Sequence, residues 1–328
     1  MKETRYIKLH LPQSWNQCTT EELEHIASAI IEEQARIGRY HIFNWERVKV
    51  NIVIAINGLS VESEERRAES EESGFLVRRG KEEPWPISTG QLCSLCEILS
   101  WLNDEKASKV IFQFPYPTLD VRCKREEGRA ISHHPSSIIH LQGPPPLLDG
   151  YTWQEYRWLT DWMQEYMRCA NALVQGKTAD VRSKSQAALS TARNEFLAVL
   201  FKPAGKPTDT TAAEHTSAIS HLTSDIFESF SPIKWQVILF WWSSLMQQLA
   251  QKFPKVFKQQ PLERKRGRHQ QKPDTPWDFY NRVTASVQKY IGGLSAQDVD
   301  NQPYGVVLQQ LEMMADETAE MEKMKKKK

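Results

Sequence analysis

One stretch limits the folds open to this chain more than any other. Pro146 to Leu173 sets Trp153, Tyr156, Trp158, Trp162 and Tyr166 within a single run of helical periodicity. Asp149 or Thr152 can cap its start, because a short side-chain oxygen accepts from the first backbone N–H groups, which have no helical partner. Thr152 and Glu155 also have capping-box spacing. Trp153, Tyr156, Leu159, Met163, Tyr166, Met167, Ala170 and Leu173 recur on one face, and Trp158, Trp162 and Cys169 widen it. A stripe this wide predicts a helix with two neighbours rather than one. An aromatic face can also take a partner or stack nucleobases, but its large burial payload favours a core helix.

The 328 residues are enough for two domains or three small ones. With 40% hydrophobic and 25% charged residues, most of the chain should fold, and a net charge of +1 argues against a broad basic nucleic-acid surface. Cysteines stand at 18, 93, 96, 123 and 169. An odd count at irregular spacing does not suit a secreted disulfide framework, so a reducing cytoplasm is expected. The N-terminus shows no apolar signal core. The most apolar segment, Trp235–Trp242, falls well short of the ~20 residues that span a bilayer. The expectation is a soluble, cytoplasmic protein with no membrane contact.

The pattern predicts a mainly α chain: a small α/β or α+β N-terminal part over 1–114, a long Pro/Gly/His-rich loop over 115–150, an α-helical domain over 151–258, a basic linker over 259–274, and a helical module over 275–328 ending in a disordered lysine tail. Tyr6–Leu11 alternates as a short strand does. Thr19 and Glu22 can open a helix with Leu23, Ile26, Ala27, Ile30 and Ile31 inside. Residues 44–59 fit a strand through Val48, Val50, Ile52, Ile54 and Ile56. They also fit a helix opened by Asn44 and closed by Asn57-Gly58, and the caps tip the reading towards helix. Glu62–Ser73 reads as a charged connector, and Phe75–Arg79 and Val110–Phe114 as strands. Ser88 or Thr89 can start a helix reaching Trp101. Helices are expected over Asp180–Lys202, Thr216–Phe230 and Pro232–Phe253, the last packed against the aromatic helix. Thr275-Pro276 starts another, since proline in the first turn gives up no needed hydrogen bond. Gly292-Gly293 ends it, and Pro303 opens the final helix.

The chemical signals are sparse. Cys93 and Cys96 form a CxxC that would need Cys123, His133, His134 or His140 to complete a zinc site, yet no second ligand pair has the usual spacing. Cys96 also shares the apolar face of its helix, which points to a structural role. His133-His134-Pro135 has no nucleophile-elbow context. Asp161 and Glu165, one turn apart, read as the solvent face of the aromatic helix. Arg264, Lys265, Arg266 and Arg268 can touch phosphates, but no interleaved aromatics accompany them for base stacking. No catalytic residue, metal ligand or cofactor is expected.

The opening Leu11-Pro-Gln-Ser-Trp-Asn16 with Thr19-Thr-Glu-Glu-Leu23 resembles the LPxSWNxLTxEQL opening of a family of phage and prophage tail-region proteins of Bacteroides-like bacteria. Gly143-Pro144-Pro145 to Asp149-Gly-Tyr-Thr-Trp153 is similar to a later part of that family, so the likeness covers about the first half of the chain. The C-terminal part is similar in style to phage tail assembly chaperones. That resemblance implies a non-enzymatic assembly or interaction protein with a tape-measure-like helical partner. The amphipathic face Trp277, Tyr280, Val283, Val287, Tyr304, Val307, Leu308 and Leu311 would then grip an apolar partner helix. Two alternatives stand beside it: a nucleic-acid-associated protein using 264–272, and a metal-binding or enzymatic protein using Cys93, Cys96, His133 and His134.

Overall fold

The computed structural model describes residues 8–37, 42–66, 73–104, 110–122, 138–176, 178–203, 230–257 and 276–326. It is mainly helical, as the sequence predicts. In chain order the elements are α1 (Thr20–Arg36), α2 (Trp45–Ile56), β1 (Leu59–Arg66), β2 (Ser73–Arg79), β3 (Trp85–Ser88), α3 (Thr89–Ile98), β4 (Thr118–Arg122) and β5 (Ile138–Gln142). There follow α4 (Trp153–Gln175), α5 (Ala179–Leu200), the two-residue β6 (Lys202–Pro203), α6 (Pro232–Lys252), α7 (Pro276–Ile291), α8 (Ala296–Asp300) and α9 (Tyr304–Lys326). They divide into two compact units, Met1–Pro115 with Ser231–Leu245, and Tyr116–Phe230 with Met246–Lys328.

In the first unit, local caps decide the helices. Thr19 and Glu22 close a full capping box on α1, as do Ser88 and Gln91 on α3. The Asn44 side chain accepts from the backbone N–H of Glu46 and Arg47, which settles the ambiguous segment as a helix, α2, over Trp45–Ile56. Gly58, at φ 60°, then turns the chain into β1. The strands β1, β2 and β3 form an antiparallel sheet in that order, with a bulge between Val61 and Ser63. Ile26, Val48, Ile52, Val53 and Leu99 are fully buried. Trp15 sits between the rings of Trp101 (5.2 Å) and Phe240 (5.1 Å), and Phe114 meets Trp241 edge-on at 4.8 Å.

Three expectations fail here for two reasons: in two segments side chains take the backbone bonds that a strand would need, and in the third a strand hides in charged sequence. His10 gives its N–H to the Asn57 amide and accepts from it, so the described part of Tyr6–Leu11 is no strand. The Ile111 N–H donates to Ser244 Oγ at 2.6 Å, so Val110–Phe114 is no strand either. The start of the charged connector Glu62–Ser73 belongs to β1, a sheet edge where charged side chains are at home.

The second unit is organised around α4, which Thr152 and Glu155 open with a full capping box. Its long neighbour is α5, joined to it through residues 176–178 as a helical hairpin. Of α6, which the sequence predicts to pack against α4, the part in this unit brings Met246 Sδ to 4.0 Å from the Tyr156 hydroxyl. The second flank of α4 is taken by the C-terminal helices. Trp153 N–H donates to the Gln302 carbonyl at 2.7 Å, and Tyr304 N–H to the Tyr151 carbonyl at 3.0 Å. Trp153 Nε1 donates to Thr284 Oγ1 at 3.1 Å. Tyr156 stacks on Tyr304 with centroids 4.9 Å apart. The two neighbours that the wide apolar stripe demanded are thus α5 and the α7–α9 group.

Within 115–150, β4 and β5 pair as antiparallel strands that β6 extends, so the described part of the expected loop carries a small sheet. Gly292 and Gly293, at φ 72° and 78°, end α7 as the sequence predicts. The tail expected to be disordered instead continues α9 to Lys326. The helix expected over Thr216–Phe230 lies outside the described residues but for Phe230. Among the described residues, no helix is long and apolar enough to cross a membrane.

Candidate functional site: a cleft at the root of the last helix

Helix α9 is apolar on two sides, and the structure uses them differently. Tyr304, Val307 and Leu308 turn inward and are buried. Val306, Gln309, Met313 and Asp316, at helical spacing on the other side, line a cleft of about 690 Å³. Its opposite wall is Pro146, Leu147, Gly150 and Tyr151, and Lys252 and Phe253 close one end. Val306 is 43% exposed and Met313 51%, a large apolar exposure at the rim of a concave surface.

The wall opposite α9 is a strained turn. Leu147 and Leu148 lie at φ 53° and 54°, in the left-handed region. A Cβ there crowds the following carbonyl and costs about 1–2 kcal/mol per residue. Surrounding contacts hold the turn in place. The Leu148 side chain is fully buried. Its N–H donates to the Pro145 carbonyl at 3.0 Å, and its own carbonyl accepts from Tyr151 N–H at 3.0 Å. The Tyr304 hydroxyl donates to the Leu147 carbonyl. Burial pushes the Tyr304 phenol above its usual range and nearby Asp149 adds to this, so that hydroxyl keeps its proton and remains a donor.

The end wall is tied to α9 by carboxylates. Glu312 accepts from the backbone N–H groups of Lys255 and Val256 at 3.0 to 3.1 Å, and the Lys255 ammonium pairs with Asp316. The result is a trough of mixed character, in which proline, leucine, tyrosine, phenylalanine, valine and methionine stand beside Asp149, Lys252, Gln309, Glu312 and Asp316.

The residues expected to hold a partner are placed elsewhere. Val287, Tyr304, Val307 and Leu308 are buried within their own unit, and Val283 and Leu311 are partly buried. The aromatic side of α4 needs cover, and these residues provide it, so the described part of the face expected to grip a partner helix is turned onto the protein itself. The side chains of Trp277 and Tyr280 are outside the described residues. So are Arg264, Lys265, Arg266 and Arg268, and likewise Cys123, His133 and His134. Cys93 is exposed, whereas Cys96 is buried three residues on in the same helix. Burial, then Glu46 and Cys93, pushes the Cys96 thiol up to about 11, so it stays protonated. Among the described residues, no group of three or more His, Cys, Asp or Glu is placed to hold a metal ion. Asp161 is less solvated than its predicted place on a solvent face: its Oδ1 is buried without a partner, and burial raises its carboxyl. Glu165 pairs with Arg168 one turn on, as an exposed-face residue does.

Val306, Gln309 and Met313 were not singled out by the sequence. The available signal was the seven-residue repeat of Val306 and Met313 beside the buried stripe, which the stronger Val307/Leu308 pair masks. No family model, curated protein or solved structure matches the chain.

Proposed function

We propose that the chain is a non-enzymatic assembly or interaction protein of the phage-tail-region kind, and that it holds an amphipathic helix of a protein partner in the cleft beside α9. The observation behind this reading is the cleft itself: Val306 and Met313 stay exposed at its edge while the opposite face of the same helix is buried. Helix-in-groove recognition uses anchors at i, i+3, i+4 and i+7 laid into a trough of this kind. Glu312 and Asp316 at its edge are already engaged by Lys255 and Val256, which leaves Asp149 as the carboxylate that a lysine or arginine of the partner would meet. The sequence resemblance supplies the class of partner, a long helical protein of the tape-measure kind.

The test is co-expression with the long helical protein encoded beside this one. Retention of that protein is expected, and Val306→Asp or Met313→Asp should lower it more than tenfold without changing the melting temperature. Unchanged retention in both variants, or no long helical protein among the neighbouring genes' products, overturns the reading.

A further inference from the structure

The outer part of α9 carries a second message, separate from the cleft at its root. Past Met313 the helix continues for several turns as an exposed tip, with Met321 53% and Met324 62% exposed. Its charges are sorted into two blocks. Asp316, Glu317, Glu320 and Glu322 come first, and lysines at 323 and 325–328 follow. Asp316 is already paired with Lys255, and Glu317 accepts from the Tyr290 hydroxyl at 2.7 Å. Among the described residues, Glu320, Lys323 and Lys325 form no ion pair within the chain.

We propose that the tip of α9 pairs antiparallel with the tip of a second copy. A helix that reads acid then base is complementary to itself only when reversed. Antiparallel, the acidic block of each copy runs along the lysines of the other; parallel, like charges would face each other and oppose pairing. Met321 and Met324, three residues apart on one face, then meet their counterparts near the two-fold axis. Methionine suits such a contact because its flexible thioether fills irregular gaps. The paired length from Glu317 to Lys326 is only about 15 Å at the rise of an α-helix. The contact is therefore small, and the dimer should be weak, concentration-dependent and salt-sensitive.

Sedimentation velocity of the full chain tests this. The dimer fraction should rise with protein concentration and fall at least fivefold between low salt and about 0.5 M salt, where screening is short-ranged. K323E/K325E and E320K/E322K should each be monomeric alone, and an equimolar mixture should restore a dimer containing both. Glu320, Lys323 and Lys325 are exposed, and Glu322 belongs to the same helix, so the melting temperature should not change. A wild-type chain that stays monomeric at the highest concentration overturns the proposal. So does dimerisation that either variant leaves intact, or a mixture that stays monomeric. Partner retention through Val306 and Met313 is measured separately, so failure of the dimer and failure of the cleft reading can be told apart.

Discussion

Arg157 and Asp300 meet at 2.9 Å across 143 residues of sequence and tie α4 to the end of α8. The Arg157 side chain is only 5% exposed, and it also donates to Thr284 at 3.4 Å. A guanidinium so far from water needs its counter-charge, because removing one partner of a buried pair leaves the other uncompensated. Asp300→Ala is therefore expected to cost about 3 kcal/mol. Arg157→Met, which removes the buried charge itself, should cost less. Urea unfolding of the two variants checks the order, and an Asp300→Ala chain as stable as wild type would show that the pair carries no such strain.

The same geometry makes the C-terminal helices part of the second unit and not a detachable module. Val287, Val299, Tyr304, Val307 and Leu308 are all buried. At about 1.5–3 kcal/mol for each buried apolar side chain, their loss amounts to roughly 7–15 kcal/mol. This is a gross figure, offset in part by the entropy of ordering these helices, but it is large beside the net stability of an ordinary domain, about 5–15 kcal/mol. A chain ending before Pro276 is expected to aggregate or to lose its cooperative unfolding, whereas one ending after Asp316 should melt within a few degrees of wild type. Thermal unfolding followed by circular dichroism separates the two. A well-folded chain lacking 276–328 would contradict the packing described.

Local chemistry was legible in the sequence, and distant pairing was not. Thr19 with Glu22, and Thr152 with Glu155, announce helix starts because the cap and its partner lie three residues apart. The width of the α4 stripe gave the number of its neighbours, but not their identity. The partners of Trp153 and Arg157 stand 131 and 143 residues away, and nothing in Thr284 or Asp300 marks them locally. The cleft-lining face of α9 was missed for a related reason. Val306 and Val307 are adjacent, so they point about 100° apart on a helix of 3.6 residues per turn. A helix apolar on two sides does not reveal which side its own chain will cover. Ile111 shows the opposite limit: its segment has strand composition, but Ser244 claims its backbone N–H and carbonyl.

Asp161 gives a pH dependence whose sign is set by burial. Burial raises its carboxyl above the usual carboxylate range, and the Arg157 charge only partly opposes this. The folded state thus holds this proton more tightly than the unfolded chain does. The stability it contributes is fully present below the unfolded carboxylate range and is lost as pH rises through the folded value. Asp161→Asn removes that loss. The variant should match wild type in acid and become the more stable of the two as pH rises towards neutrality. Urea unfolding at a series of pH values measures the difference, and a variant less stable than wild type at pH 7 would mean that the buried carboxylate is well solvated.

The strained turn at the cleft offers a test in which stability and binding part company. Leu147 is in the left-handed region yet only partly buried, so its side chain contributes little to the core while its backbone carries the steric cost. Asparagine tolerates that conformation better than leucine, and Leu147→Asn should raise stability by up to about 1 kcal/mol. Leu148 shares the conformation but is fully buried, so Leu148→Asn loses core packing and should cost about 2–5 kcal/mol instead. If the turn is strained because the cleft needs an apolar side chain at this wall, Leu147→Asn will be more stable than wild type and retain the partner helix less well. Unfolding and retention measured on the same preparation decide it. A gain in stability with unchanged retention would remove Leu147 from the binding surface while leaving Val306 and Met313 in place.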